Sequence, residues 1–344
     1  MLQEFACTGV TLNAKDGSLI VGRTIEWGGS ALPSFYVVTP RNHTFKSLTP
    51  SGEHGLCYQS QYGWVGLSVV QKEFVAEGLN EQGLSCGLFY FPGYGEYVRY
   101  DSTKDSSSIA DMQLVSWMLS TCKDIDEVKR SITALRIVSV VPEQGSATIH
   151  WRVTDRSGQQ IVIEITDGGK INIYDNPVGV ITNAPSFPWH LTNLNNYVNL
   201  FPGAAPSIKL GEKILSPFGA GSGMLGIPGD VTPPSRFVRM AFYRATAPQQ
   251  DHAFDTVTQC FHLLNNFDIP IGIEHAESEV VDIPSATQWT SVLDTTGLKV
   301  YYRTFYNSNI RCIDLNSIDL NKVTYQYHPL DITHDQPIEY ITIT

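Results

Sequence analysis

The sequence predicts an α+β fold of layered antiparallel sheets with helices inserted in pairs. Three observations carry this. Strand-like segments fill the opening part of the chain. Two helices follow, then a second strand block, further helices and closing strands. The strict strand–helix–strand alternation of a parallel sheet is missing. The chain has 344 residues, 42% hydrophobic and 17% charged, which excludes a disordered chain. At that length the core needs no metal or disulfide staple.

In order, Cys7–Leu12, Leu19–Trp27, Phe35–Thr39, Gly63–Val70, Phe74–Leu79 and Gly83–Phe91 are β-rich and bounded by turn residues such as Lys15-Asp16-Gly17. Ala110, Leu114, Trp117, Met118 and Thr121 recur at helical spacing, which predicts a helix over Ile109–Cys122 with Ser108 as its N-cap. Asp124 caps a second helix to about Leu135, with acids early and Lys129-Arg130 late, as the helix dipole prefers. Strands return at Ile137–Val141, Thr148–Thr154, Gln160–Thr166 and Lys170–Tyr174. Ile149, Trp151 and Val153 alternate there with His150 and Arg152, the period of a half-buried strand. Val178–Thr182, a short helix around His190–Leu200 and a Gly/Pro-rich stretch from Phe201 to Pro234 come next. Helices over Arg236–Thr246 and Asp255–Phe267 precede strands at Trp289–Leu293, Val300–Tyr306 and Ile310–Leu315. No repeat or low-complexity linker divides the chain, so one domain is expected.

Lys plus Arg number 23 and Asp plus Glu 34, a net charge of −11. An acidic surface repels phosphate, so a nucleic-acid partner is not expected. No apolar run reaches the length of about 18 residues that spans a membrane. Cysteines at 7, 57, 86, 122, 260 and 312 form no CxxC, which excludes a zinc ribbon or dithiol motif. Met1–Ala6 lacks the basic start and apolar stretch of a secretory signal. Made without a leader, the protein is expected in the cytoplasm; with one removed, in the periplasm or outside the cell.

Several motifs fail on context. Gly221, Gly223 and Gly226 match GxGxxG, but Pro217 and Pro228 flank them where a dinucleotide site needs a strand and a helix. The run reads as a structural or subunit-contact loop. Nine histidines include no HExxH, and His190 and His262 read as packed or capping residues, so no metal is expected. A G-x-S-x-G elbow is absent. Cys7 remains. It is either a small buried strand residue or a nucleophile exposed by removal of Met1–Ala6. In the second case its own α-amine, with an ordinary pKa of about 7.7–8.0, can act as base for its own thiol.

The stretch CTGVTLNAKDGSLIVGRTIEW from Cys7 resembles the opening of the choloylglycine hydrolase family, which includes bile salt hydrolases and penicillin V acylases. EGLNEQGLSCGLFYFPG (77–93), GVITNAPSFPWHLTNLNNY (179–197) and GIPGDVTPPSRFVR (226–239) resemble further blocks of that family, in its order. The likeness runs from Cys7 to about Leu315. It implies a four-layer αββα sandwich of the N-terminal nucleophile hydrolases. It also implies hydrolysis of linear amides with no cofactor or metal, and a small-molecule amide as partner. Residues 1–6 would be a removed leader and 7–344 the hydrolase domain.

By resemblance, Cys7 matches the nucleophile and Arg23 the arginine beside it. Glu26 stands where the family usually has Asp, holding the α-amine. Asn183 matches the oxyanion-hole asparagine, and Arg236 the last polar member of the site. Tyr90 stands where bile salt hydrolases have Asn and a penicillin V acylase branch has Tyr, which leans the acyl pocket toward flat aromatic groups. Leu200–Phe218 resembles the loop that holds family members as homotetramers. Two alternatives stay open: an amidase for other N-acyl amides, such as acyl homoserine lactones or fatty-acyl amides, and a non-catalytic ligand-binding member.

Overall fold

A computed structural model describes residues 6–28, 32–140, 148–273 and 286–343. Met1–Phe5 of the predicted leader and the Val141 end of one predicted strand lie outside them.

Two antiparallel sheets dominate. The first has six strands in the order Val180–Ile181, Ala6–Asn13, Leu19–Trp27, Ala286–Asp294, Lys299–Thr304, Arg311–Asp314. The second has eight, in the order Lys170–Asp175, Gln160–Thr166, Ile149–Thr154, Ser85–Tyr90, Val75–Asn80, Trp64–Val69, Ser34–Thr39, Gln326–Pro329. Helix α1 (Leu114–Thr121) lies on the outer face of the second sheet, against Val75–Asn80 and Ser85–Tyr90, and α2 (Ile125–Ser131) follows it. Helix α3 (Phe187–Asn193) packs on α4 (Pro233–Thr246), and α4 and α5 (Ala253–Leu264) cover the first sheet. The layers run α, β, β, α, as the family resemblance implied.

Small residues set the layer spacing where the site lies. A Cβ on Gly9 would meet Phe89 and Ile181 at 2.8 Å, so glycine there lets the sheets close beside Cys7. A Cβ on Gly22 would meet the Cys260 sulfur at 2.4 Å, so glycine there seats α5 on the first sheet. Phe89, Trp64, Trp151 and Trp289 are fully buried between or against these layers. Burial of such side chains contributes about 1.5–3 kcal/mol or more each.

Most expected strands fall within a residue or two of those observed, and Leu19–Trp27 and Gln160–Thr166 match at both ends. Ala286–Asp294 starts three residues before the expected Trp289, and Thr44–Lys46, Cys57–Gln59 and Gln326–Pro329 are strands beyond those expected. Asp124 caps α2 through Oδ1, which accepts from the Glu127 N–H at 2.9 Å. Three readings need correction. Ser108 is not an N-cap: Ser108–Ala110 is a strand paired in parallel with Arg136–Val138, a 3₁₀ turn follows at Asp111–Gln113, and the α-helix starts only at Leu114. Tertiary pairing overrides the local helical pattern there, since the Ala110 N–H is taken by Ser47 Oγ at 2.9 Å. His150 and Arg152 do not face water. All six residues of Ile149–Thr154 are buried, because sheet and helix layers cover both faces. The Gly/Pro-rich stretch is not all irregular, since Ile208–Leu210 and Lys213–Leu215 form a hairpin turned through Gly211, whose φ is +59°. His190 is packed as expected, whereas His262 is exposed on the last turn of α5.

Candidate active site

Cys7 sits near the start of its strand, opposite Ile25, with the side chain buried between the sheets. Its Sγ accepts from Arg23 Nη2 at 2.8 Å. Arg23 is itself fully buried. Its Nη1 donates across the sandwich to the carbonyls of Ala76 at 3.0 Å and Leu88 at 2.6 Å, and its guanidinium lies 4.3 Å from the Phe89 ring centre. The fork is therefore fixed at one end by the far sheet and aimed at sulfur by the other.

Asn183 lies just past the Val180–Ile181 strand. Its Oδ1 accepts from the Cys7 backbone N–H at 2.9 Å and from Arg236 Nη2 at 2.8 Å. Its Nδ2 donates to the Tyr90 carbonyl at 2.8 Å. Two donors at one end and a carbonyl at the other define which way the carboxamide points. The nitrogen that Asn183 holds is a peptide nitrogen while Ala6 is attached; it is the atom that becomes the α-amine once that bond is cut. Arg236 comes from the first turn of α4, after Pro233-Pro234, and is buried. Its Nη1 donates to the Cys7 carbonyl and, at 2.8 Å, to Thr8 Oγ1, while Nε donates to Val231 O at 2.7 Å. The Tyr90 backbone N–H reaches the Cys7 sulfur, and the Tyr90 side chain is half-buried.

The charges pull in opposite directions. Burial pushes the Cys7 thiol above its usual range; Arg23 opposes this, Glu26 adds to it, and Arg236 and the Tyr90 N–H oppose it again. Arg23 thus favours thiolate, as the resemblance implied, without outweighing burial. Glu26 is buried one pair along from Cys7, opposite Ala6. Its Oε1 accepts from Thr287 Oγ1 at 3.0 Å, and its Oε2 has no partner among the described residues. Burial lifts its carboxyl to about 7, against the pull of Arg236. No hydrogen bond joins Glu26 to the Cys7 nitrogen, whose single hydrogen goes to Asn183.

The six predicted residues, Cys7, Arg23, Glu26, Tyr90, Asn183 and Arg236, therefore meet in one place, from five separate stretches of chain. Residues 7–328 match the linear amide C–N hydrolases, choloylglycine hydrolase family. The chain belongs to this family. It is 35% identical over 336 residues to the bile salt hydrolase/transferase of Clostridium perfringens, covering 95% of this chain and 99% of the relative. The crystal structure of a mutant conjugated bile acid hydrolase from Clostridium perfringens superposes with a TM-score of 0.83 at 29% identity, over 98% of this chain and 100% of that one. A penicillin V acylase structure from Agrobacterium tumefaciens shares the fold, with a TM-score of 0.76 at 22% identity over 95% and 92% of the two chains.

As a choloylglycine hydrolase family member the chain is an amidohydrolase, and its site includes groups that sequence reasoning missed. Glu77 bridges the buried arginines. Its Oε1 pairs with Arg152 Nη2, and its Oε2 lies 4.0 Å from Arg23 Nη1. The clue was available in Gly87, where a Cβ would sit 2.3 Å from that carboxylate. Thr287 bonds Glu26, and His150, Glu164 and His190 bond the backbone around Asn183, contacts that only the fold reveals. Among the described residues no cluster of three His, Cys, Asp or Glu side chains is arranged to hold a metal ion. The Gly221–Gly226 run belongs to an irregular arm, where the Gly223 N–H bonds to the Gly203 carbonyl at 2.9 Å and a Cβ would strike the Phe201 carbonyl.

Proposed function

We propose that the protein hydrolyses N-acyl amides with Cys7 as an N-terminal nucleophile, after loss of Met1–Ala6. The observation that carries this is the double hold on Cys7: Arg23 on its sulfur and Asn183 on its nitrogen. The freed α-amine takes the thiol proton, and the sulfur attacks the amide carbonyl. The oxyanion is received by the second Nδ2–H of Asn183 and the backbone N–H of Tyr90. The C–N bond breaks, and the α-ammonium returns its proton to the departing amine. Water then attacks the thioester, giving up a proton to the α-amine. The acid leaves, and the proton passes back to the thiol. Freeing the amine also supplies hydrogens beyond the one held by Asn183, and the unpartnered Glu26 Oε2 is a suitable acceptor for one of them.

The acyl groups that fit best are those of conjugated bile acids, by likeness to the Clostridium perfringens enzyme. Tyr90 supports a second reading, phenoxyacetyl amides such as penicillin V, because a half-buried phenol beside the oxyanion position suits a flat aromatic group. The test is kcat/KM on a glycine-conjugated bile salt and on penicillin V, in one buffer, with protein whose intact mass shows that Met1–Ala6 are gone. A ratio favouring the bile salt supports the first reading, a ratio favouring penicillin V the second. Turnover of neither, or turnover that survives Cys7→Ala, overturns the mechanism.

The arm from Leu200 to Phe218 is proposed as the contact that assembles a homo-oligomer. It exposes Ile208, Leu210, Ile214, Leu215 and Phe218, more apolar surface than a hairpin carries without a covering partner. A monomeric mass by light scattering at micromolar concentration counts against this.

A further inference from the structure

Sheet pairing of the Asn183 segment stops at Ile181, opposite Gly9. Beyond it, buried polar side chains from three other elements take over. His150 Nε2 lies 3.0 Å from the Thr182 carbonyl. His190 Nε2 lies 2.9 Å from the carbonyl of Asn183 itself. Glu164 Oε1 accepts from the Phe187 N–H at 2.7 Å and lies 3.3 Å from His150 Nδ1. A carbonyl can only accept, so each imidazole carries a proton on Nε2 and donates it there. The His150 Nδ1–Glu164 Oε1 contact joins two groups that otherwise accept, so it holds a further proton between them. Both rings are braced by aromatic stacking, His150 on Phe91 at 4.5 Å and His190 on Phe237 at 4.6 Å. All three polar side chains are buried, and the four contacts above hold them to the 182–187 backbone and to one another, while Glu164 Oε2 and His190 Nδ1 have no hydrogen-bond partner among the described residues.

We infer that His150 and Glu164, together with His190, are positioning residues that hold the 182–187 backbone so that the Asn183 carboxamide meets the reacting carbonyl. None of them touches the sulfur or the Cys7 nitrogen. They act through Asn183 alone, and the inference rests on the proposed mechanism for its catalytic consequence. Misplacement of a donor by about an ångström costs up to about a hundredfold in rate, and loss of one oxyanion donor costs about 10²–10³. Loosening the clamp should fall at or below the first figure.

The experiment uses the full chain beginning at Cys7, with whichever amide the parent turns over. His150→Leu should lower kcat about 10- to 100-fold while KM stays within about threefold. His150→Gln, which keeps an N–H donor for the Thr182 carbonyl, should recover much of the loss. Alkylation of Cys7 by iodoacetamide should change far less than kcat, since Arg23 still holds the sulfur. A His150→Leu enzyme with parental kcat overturns the inference. So does a joint collapse of kcat, KM and alkylation rate, which marks general disorder. Should His150→Leu not fold, Glu164→Gln is read by the same criteria, because it keeps the size and an acceptor for the Phe187 N–H. An inactive parent defeats the proposed mechanism and leaves the clamp to a second readout. In the leader-bearing chain, the side-chain amide resonance of Asn183 should shift in His150→Leu, and an unmoved resonance overturns the clamp by itself.

Discussion

Glu26→Gln probes the electrostatics of the site most directly. Burial lifts the Glu26 carboxyl from its ordinary 4.5 to about 7. A carboxyl whose folded value lies above its unfolded one binds an extra proton in the folded chain between those two values. Its contribution to stability therefore falls as pH rises through the window from 4.5 to about 7, and levels off above it. The gap is 7 − 4.5 = 2.5, which at about 1.4 kcal/mol per tenfold change amounts to roughly 3 kcal/mol. Glutamine does not titrate. In the leader-bearing chain, the stability gained by Glu26→Gln should therefore rise by roughly 3 kcal/mol across that window. In the chain beginning at Cys7, a charged α-ammonium faces the carboxylate and draws its pKa back down. The rise should then shrink to under about 1 kcal/mol. Urea unfolding of both backgrounds at pH 5 and pH 8 measures it. A pH-independent difference in the leader-bearing chain refutes the upward shift of the buried carboxyl. An equal rise in both backgrounds refutes its role as partner of the α-amine.

Other expectations follow from single contacts. Asn183→Ala should lower kcat about 10²–10³-fold with KM changed far less, read by steady-state kinetics on the processed enzyme. Arg23→Met should slow iodoacetamide alkylation of Cys7 at neutral pH, because the group opposing burial is gone, and should cost about 1–3 kcal/mol in urea unfolding by leaving the buried Ala76 and Leu88 carbonyls without its donor. Gly9→Ala should lower stability by about 1–3 kcal/mol and slow turnover, since the new methyl drives Phe89 against the Arg23 guanidinium; thermal melts and kcat together test it.

How much of this was legible differs by level. Strands were readable because each lies in a sheet with defined turns, so period and punctuation agree. The Ser108 helix start was not, because a parallel pairing with residues far along the chain decides it. The six predicted site residues came from motif blocks and not from spacing, since Cys7, Tyr90, Asn183 and Arg236 are far apart in sequence and meet only through the stacking of two sheets. The supporting shell stayed hidden for a definite reason. His150 and Arg152 occupy the positions that alternation assigns to solvent, and in a strand covered on both faces that assignment inverts: the polar residues turn inward and carry the buried pairs. A polar residue at a period-two position is therefore a surface residue only in a sheet with one open face.

That inversion bears on how the site handles charge. Around the sulfur Arg23 and Arg236 stand against Glu26, all buried, so cations are in excess by one even with that carboxyl ionised. Such a set favours an anion at its centre, yet the thiol remains pushed up, because burial of the sulfur is the larger effect. The two facts are compatible if the anion is needed only during reaction. A resting thiolate would draw alkylating and oxidising chemistry, whereas a protonated thiol beside a base and fixed dipoles becomes an anion when the amine takes its proton. While Ala6 is attached there is no such base, and the nitrogen's one hydrogen is committed to Asn183. The arrangement around Cys7 is thus complete except for the amine. Cutting the Ala6–Cys7 bond should raise the alkylation rate of Cys7 near neutral pH without any change in the fold. Equal alkylation rates in the leader-bearing and processed chains would mean that Arg23 alone activates the sulfur and that the amine is not its base.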